Sequence, residues 1–174
     1  MSFIDQLDAA KREVVHASVS REALDRFAAI GWTDWTELGP VEQLMDAIVE
    51  AHGGPSAAVD VGDRIGRIVA HAATNSLLRL FMKVATPMMV SKQMKPLWRK
   101  YFTFGTFEIE TINAAGAIYV VDDGFKYAPA VGRGWMGYVM DAIGRREVHV
   151  VCEPESGVLP QHGGRTRWRV DWKN

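Results

Sequence analysis

The hydrophobic period of this chain changes near residue 100, from about 3.6 residues to about two, and no other feature restricts its fold as much. Apolar residues spaced three and four apart form one stripe only on a helix, while strict alternation forms one face only on a strand. The first hundred residues are therefore expected to be mainly helical. Residues 101–174 are expected to form a β-hairpin, a helix and a second β-hairpin, within a single domain spanning residues 1–174.

In the first half, Phe3, Ile4, Leu7, Val14 and Val15 recur at rough helical spacing over residues 3–15. Ser20 suits the N-cap of a second helix carrying Leu24, Phe27, Ala28 and Ile30, which Gly31 stops. Pro40 fits the first turn of a third helix, where its missing N–H is no loss. Val41, Leu44, Met45, Ile48 and Val49 follow, and His52-Gly53-Gly54 ends the run. After Pro55, Val61, Ile65, Ile68, Val69 and Ala72 predict an apolar helix face opposite Asp63, Arg64 and Arg67. The next segment is strongly apolar but interrupted at Pro87 and Pro96. It predicts a helix to about Val84, a break, and a short helix from Met88 to Lys95 or beyond.

In the second half, YFTFGTFEIETI (101–112) alternates with a register shift at Gly105, a natural place for a bulge. AIYVV (117–121) completes a hairpin over residues 101–122. Residues 130–143 predict a helix ending at Gly144. Strands are expected at Glu147–Cys152 and Arg167–Trp172, the second turning Trp168, Val170 and Trp172 inward and Arg167 and Arg169 outward. Helices packed on one face of a small, mostly antiparallel sheet define an α+β fold.

With 174 residues, 48% of them hydrophobic, the chain is long enough to bury a core without covalent staples. Twenty basic residues against 21 acidic ones give no global attraction to nucleic acid or an anionic membrane. A single cysteine makes no internal disulfide, which favours a reducing compartment. No signal peptide is evident at the N-terminus, and no stretch reaches the ~20 apolar residues needed to cross a bilayer. A cytoplasmic protein without a transmembrane segment is expected.

The helix after Pro40, the segment KPLWRKYFTFGTFEIETI, the helix GRGWMGYVMDAIG, and VHVV followed by a loop and RWRVDW occur in an order spanning residues 40–172. Together they resemble the ligand-binding superfamily that groups haem nitric-oxide-binding domains, 4-vinyl reductase domains and a class of TRAPP tethering-complex subunits. The resemblance implies ligand binding between a helical layer and a sheet, and pairing through helices. Two departures limit it. The 4-vinyl reductase branch resembles a Cys, a Gly-Asp and a second Cys in the last hairpin, whereas this chain has only Cys152, with Thr166 and Arg167 near the second position. The haem branch carries an axial histidine on a helix and a Tyr-x-Ser-x-Arg signature for the propionates, and no such signature occurs here. The resemblance therefore carries neither metal ligation nor haem, and no cofactor is expected.

The chemistry-bearing residues give little support to catalysis. His149 and Cys152 lie three apart on a strand, so they point to opposite sheet faces and cannot chelate together without a bulge. His162 lies in the loop beyond. His52, beside two glycines, reads as a helix-terminal cap. His71, near an apolar stripe, reads as a hydrogen-bonded interior histidine and is the first residue to suspect if haem is found. Gly132, Gly134 and Gly137 match G-x-G-x-x-G but follow a polar loop rather than a strand, so packing explains them better than a dinucleotide. No Gly-x-Ser-x-Gly elbow is present.

The most suggestive cluster combines methionines with aromatics, because methionine adapts its shape to a variable apolar ligand or partner. Met82, Met88, Met89, Trp98, Phe104, Phe107, Trp135 and Met136 are its expected lining, and an ordinary core is the plain alternative. Lys92, Lys95, Arg99 and Lys100 make a basic run beside it. The sequence thus points to a non-enzymatic regulatory module that binds a small apolar ligand, a protein partner (a second copy included), or both. The alternatives are a haem-based gas sensor and, behind it, a small enzyme.

Overall fold

The computed structural model describes residues 4, 7–29, 37–74, 80–101, 105–122, 125–153 and 164–173. Its elements are α1 (Ala9–Ser18), α2 (Arg21–Ala29), α3 (Leu38–Ala51), a 3-10 turn (Gly54–Ala57), α4 (Ala58–Ala73), α5 (Pro87–Tyr101), β1 (Thr106–Ile112), β2 (Gly116–Asp122), α6 (Ala128–Ala142), β3 (Arg146–Glu153) and β4 (Arg165–Lys173). The four strands form one antiparallel sheet in the order β1-β2-β4-β3. This is the α+β architecture expected from the change of period.

Capping accounts for several boundaries. The Asp8 carboxylate accepts the Lys11 amide at 2.9 Å, so α1 starts at Ala9 rather than near residue 3. That bond holds the Asp8 carboxyl below the usual carboxylate range. The Ser20 hydroxyl accepts the Ala23 amide at 3.2 Å. Gly144, at φ +78°, ends α6 in a Schellman arrangement: its amide bonds the Asp141 carbonyl and that of Arg145 bonds Met140.

Two expectations are corrected. Tyr101 is the last residue of α5 rather than the first of a strand, and β1 begins at Thr106, after Gly105 at φ +68°. The register shift falls between Ile109 and Thr111, not at Gly105. The helix expected from Met88 to Lys95 or beyond is α5, which does run on through Pro96. That proline is exposed, so the bond its missing N–H cannot make to the Lys92 carbonyl falls on the hydrated side, where the loss costs least.

Two apolar clusters fill the interior. One joins α1, α2, α3 and the start of α4 through Val15, Val19, Leu24, Met45, Ile48 and Val61. The other joins α5 and α6 to the inner sheet face through Phe107, Tyr119, Met136, Met140, Trp168, Val170 and Trp172. The last strand faces as expected: Trp168, Val170 and Trp172 are buried, and the two indole N–H groups donate to the Pro129 and Ala114 carbonyls at 3.0 Å.

Helices α4 and α6 join the two regions by backbone contact. A Cβ on Gly66 would overlap the Val131 carbonyl, one on Gly134 the Asp63 carbonyl, and one on Gly62 the Ala130 methyl. Because this seam follows the glycines, α4 buries Ala58, Val61, Gly62, Gly66 and Ala70, while Val69 is 40% exposed. The apolar face expected at Val69 and Ala72 is therefore rotated outward. Above the seam, Asp63 accepts from Arg67 at 3.3 Å and Arg133 at 2.9 Å, and Arg67 reaches Asp141 at 2.9 Å. The Asp141 bond, foremost among its partners, holds the Arg67 guanidinium above its ordinary range.

Candidate functional site

The interior between α5, α6 and the sheet holds the candidate site. Val90 and Met94 from α5, Phe107 from β1, Tyr119 from β2, and Trp135, Met136, Val139 and Met140 from α6 surround a cavity of about 10 Å³. Such a void is about the size of one water molecule, and apolar side chains dominate its wall. The α6 residues lie at i, i+1, i+4 and i+5, which places them on one helix face. Trp98, Phe107 and Tyr119 form a row on the α5 side, with ring centroids 6.1 and 5.7 Å apart.

One polar pair interrupts this wall. The hydroxyls of Ser91 and Tyr119, 0% and 2% exposed, lie 2.6 Å apart and tie α5 to β2. Burial pushes the Tyr119 phenol up, and the Ser91 bond partly opposes it. A second phenol, Tyr127, sits at the α6 N-terminus and donates to the Asp46 carboxylate at 2.5 Å. Burial, and then that bond to an acceptor already charged, push Tyr127 well above the usual phenol range.

Of the residues expected to line the site, Phe107, Trp135 and Met136 meet at the cavity, and Met82 and Trp98 pack in the same cluster. Phe104 lies outside the described residues. Met88 and Met89 are 43% and 41% exposed on the outer side of α5. Tyr119, Val139, Met140, Met94 and Val90 complete the wall. The i, i+3, i+4 spacing of Met136, Val139 and Met140 carried a signal for two of them. Val90 and Tyr119 carried none, since only the pairing of α5 with β2 brings them in.

The histidines take other roles. His52 caps α3, its Nδ1 lying 2.8 Å from the Ile48 carbonyl. His71, expected in the interior, is exposed and meets the Tyr138 ring edge-on at 5.8 Å, because the glycine seam turns that side of α4 outward. His149 is exposed on the outer sheet face, paired with Asp171 in register, and Cys152 faces inward against Trp168. Burial, with the Glu153 charge, pushes the Cys152 thiol up and away from its reactive thiolate form. His162 lies outside the described residues. Among the described residues no three histidine, cysteine or carboxylate side chains gather as a metal site. The glycines of the apparent nucleotide loop all lie within α6, with Gly132 against Trp168, Gly134 against α4 and Gly137 against Arg67.

No family model matches the chain, and no curated protein matches it. Solved structures do. The fold is that of H-NOX proteins. An Fe(II) unliganded H-NOX protein from K. algicida matches 99% of this chain and 93% of its own length, at 11% identity and a TM-score of 0.68. The S. oneidensis H-NOX protein in its Fe(II)NO state matches 98% and 94%, at 8% identity and 0.66. A mutant of the T. tengcongensis H-NOX matches 99% and 96%, at 12% identity and 0.63. The superfamily resemblance read from the landmark segments is thereby supported at the level of fold.

A haem, the group this fold brings into question, does not fit the residues present. No histidine among the described residues lines the cavity, α5 and α6 contain none, and the space is a small fraction of the several hundred Å³ a cofactor occupies. With the Tyr-x-Ser-x-Arg signature also missing, neither end of a porphyrin has a holder among the described residues.

Proposed function

We propose that this chain is a non-enzymatic ligand-binding module of the sensing type. Its ligand is a small apolar molecule, smaller than haem, taken up between α5, α6 and the inner face of the sheet. The cavity carries this reading: three of its eight lining residues are methionines, whose flexible side chains can repack around a guest. The Ser91–Tyr119 pair supplies a polar contact beside it. Native mass spectrometry of freshly purified protein is expected to reveal a retained apolar compound lighter than haem. A bare chain whose denaturation midpoint is unmoved by indole or n-hexanol contradicts the proposal.

A second reading is a haem-based gas sensor, and the structural likeness supports it better than it supports a haem-free module. The structural neighbours include H-NOX proteins in Fe(II) states, one of them with NO bound. This chain's residues speak against it: of the two candidate axial ligands, His71 is exposed and His52 caps α3 through the Ile48 carbonyl. A haem adduct in the same spectra would establish it.

A further inference from the structure

We propose that the outward face of α5 is a docking surface for an acidic helical segment of another protein. Residues 80–101 contain five basic residues and no acidic one, which leaves 15 basic against 21 acidic residues in the remainder of the chain. Lys83, Lys92, Lys95 and Arg99 form no ion pair among the described residues, whereas Arg67, Arg133, Arg167 and Arg169 elsewhere are all paired. Three of these unpaired cations, Lys92, Lys95 and Arg99, stand on α5 itself.

Their arrangement is linear. Met88, Lys92, Lys95 and Arg99 stand at i, i+4, i+7 and i+11, one ridge of the helix, about 17 Å long at 1.5 Å per residue. At the N-terminal end the ridge meets an exposed apolar patch: Leu80 is 63% and Val84 73% exposed, beside Met88 and Met89. A helix carrying acidic residues at the same spacing, with apolar residues at one end, complements both parts. Exposed methionine is typical of surfaces that adapt to protein partners. A bilayer is the poorer fit, because none of the large exposed hydrophobics among the described residues is aromatic. Against a second copy of the chain, Asp63, Glu110, Asp141, Glu153 and Asp171 are already engaged by its own arginines, which leaves scattered glutamates such as Glu13, Glu22 and Glu108 rather than an acidic ridge. The α5 face serves this role whatever the interior site binds.

The test uses the full chain and a fluorescent amphipathic peptide with glutamates at i, i+4 and i+7 beside leucines, followed by anisotropy. The glutamate peptide is expected to bind about tenfold more tightly than its glutamine analogue, and to lose affinity as NaCl rises from about 50 to about 200 mM. Replacing the ridge charges together (Lys92→Glu, Lys95→Glu, Arg99→Glu) is expected to abolish binding, and the milder Lys92→Gln, Lys95→Gln, Arg99→Gln set to weaken it, both with the denaturation midpoint preserved. Equal affinity for the two peptides overturns the proposal, as does no binding of either. Preference for vesicles of phosphatidylcholine with about 30% phosphatidylserine assigns the face to membranes instead. Sedimentation showing a dimer dispersed by the charge reversals assigns it to self-association.

Discussion

At the scale of single residues, the contact between α4 and α6 is the least tolerant place in the molecule. Gly134 lies against the Asp63 carbonyl and Gly66 against that of Val131, and neither carbonyl can turn aside without breaking its helix. Gly134→Ala is therefore expected to cost about 3 kcal/mol, as overpacking of a closed contact does, measured by urea denaturation. A change below about 0.5 kcal/mol would mean the helices are further apart than described. Tyr127 offers a second test. Its phenol is held above its ordinary pKa near 10, so the neutral form favours the folded state at every pH below that value. That contribution fades as pH climbs past 10 towards the folded-state pKa. The stability advantage of the natural protein over Tyr127→Phe is accordingly expected to be constant from neutral pH to about 9.5 and to shrink above 10. Parallel curves to pH 11 would contradict the buried Tyr127–Asp46 pair.

At the scale of elements, α5 serves two environments: Val90, Ser91 and Met94 face the core while Met88, Lys92, Lys95 and Arg99 face outward. The Ser91–Tyr119 bond fixes which side is which. Tyr119→Phe leaves a fully buried serine hydroxyl without its partner and is expected to cost about 2 kcal/mol, whereas the Ser91→Ala/Tyr119→Phe double variant recovers part of that loss. Additive losses in the cycle would show that the two hydroxyls do not depend on each other. The same element shows what was legible in the sequence. Periodicity revealed that helices precede strands and that Trp168, Val170 and Trp172 face inward. It misplaced Val69 and His71, because hydrophobicity cannot register a helix contact made through glycine backbone. It grouped Met88 and Met89 with Met136, although the i, i+4 ridge Met88–Lys92 placed Met88 beside charges. The cavity wall was half legible: Phe107, Trp135 and Met136 emerged from their own segments, but Val90 and Tyr119 join them only because helix α5 packs on strand β2 across the fold.

At the scale of the whole molecule, a chain 8–12% identical to H-NOX proteins keeps their architecture while closing its interior with methionine and aromatic side chains. Fold and site thus point in different directions, and the chemistry of the site decides what such a module binds. The central claim is that this interior takes a small apolar guest and does not hold haem. Titrating the purified chain with one equivalent of hemin, desalting it, and recording the Soret band of the protein fraction tests that claim most directly. We expect the haem to separate from the protein and leave no protein-bound Soret band. A stoichiometric band that survives desalting, and that disappears in His71→Ala, would contradict the account.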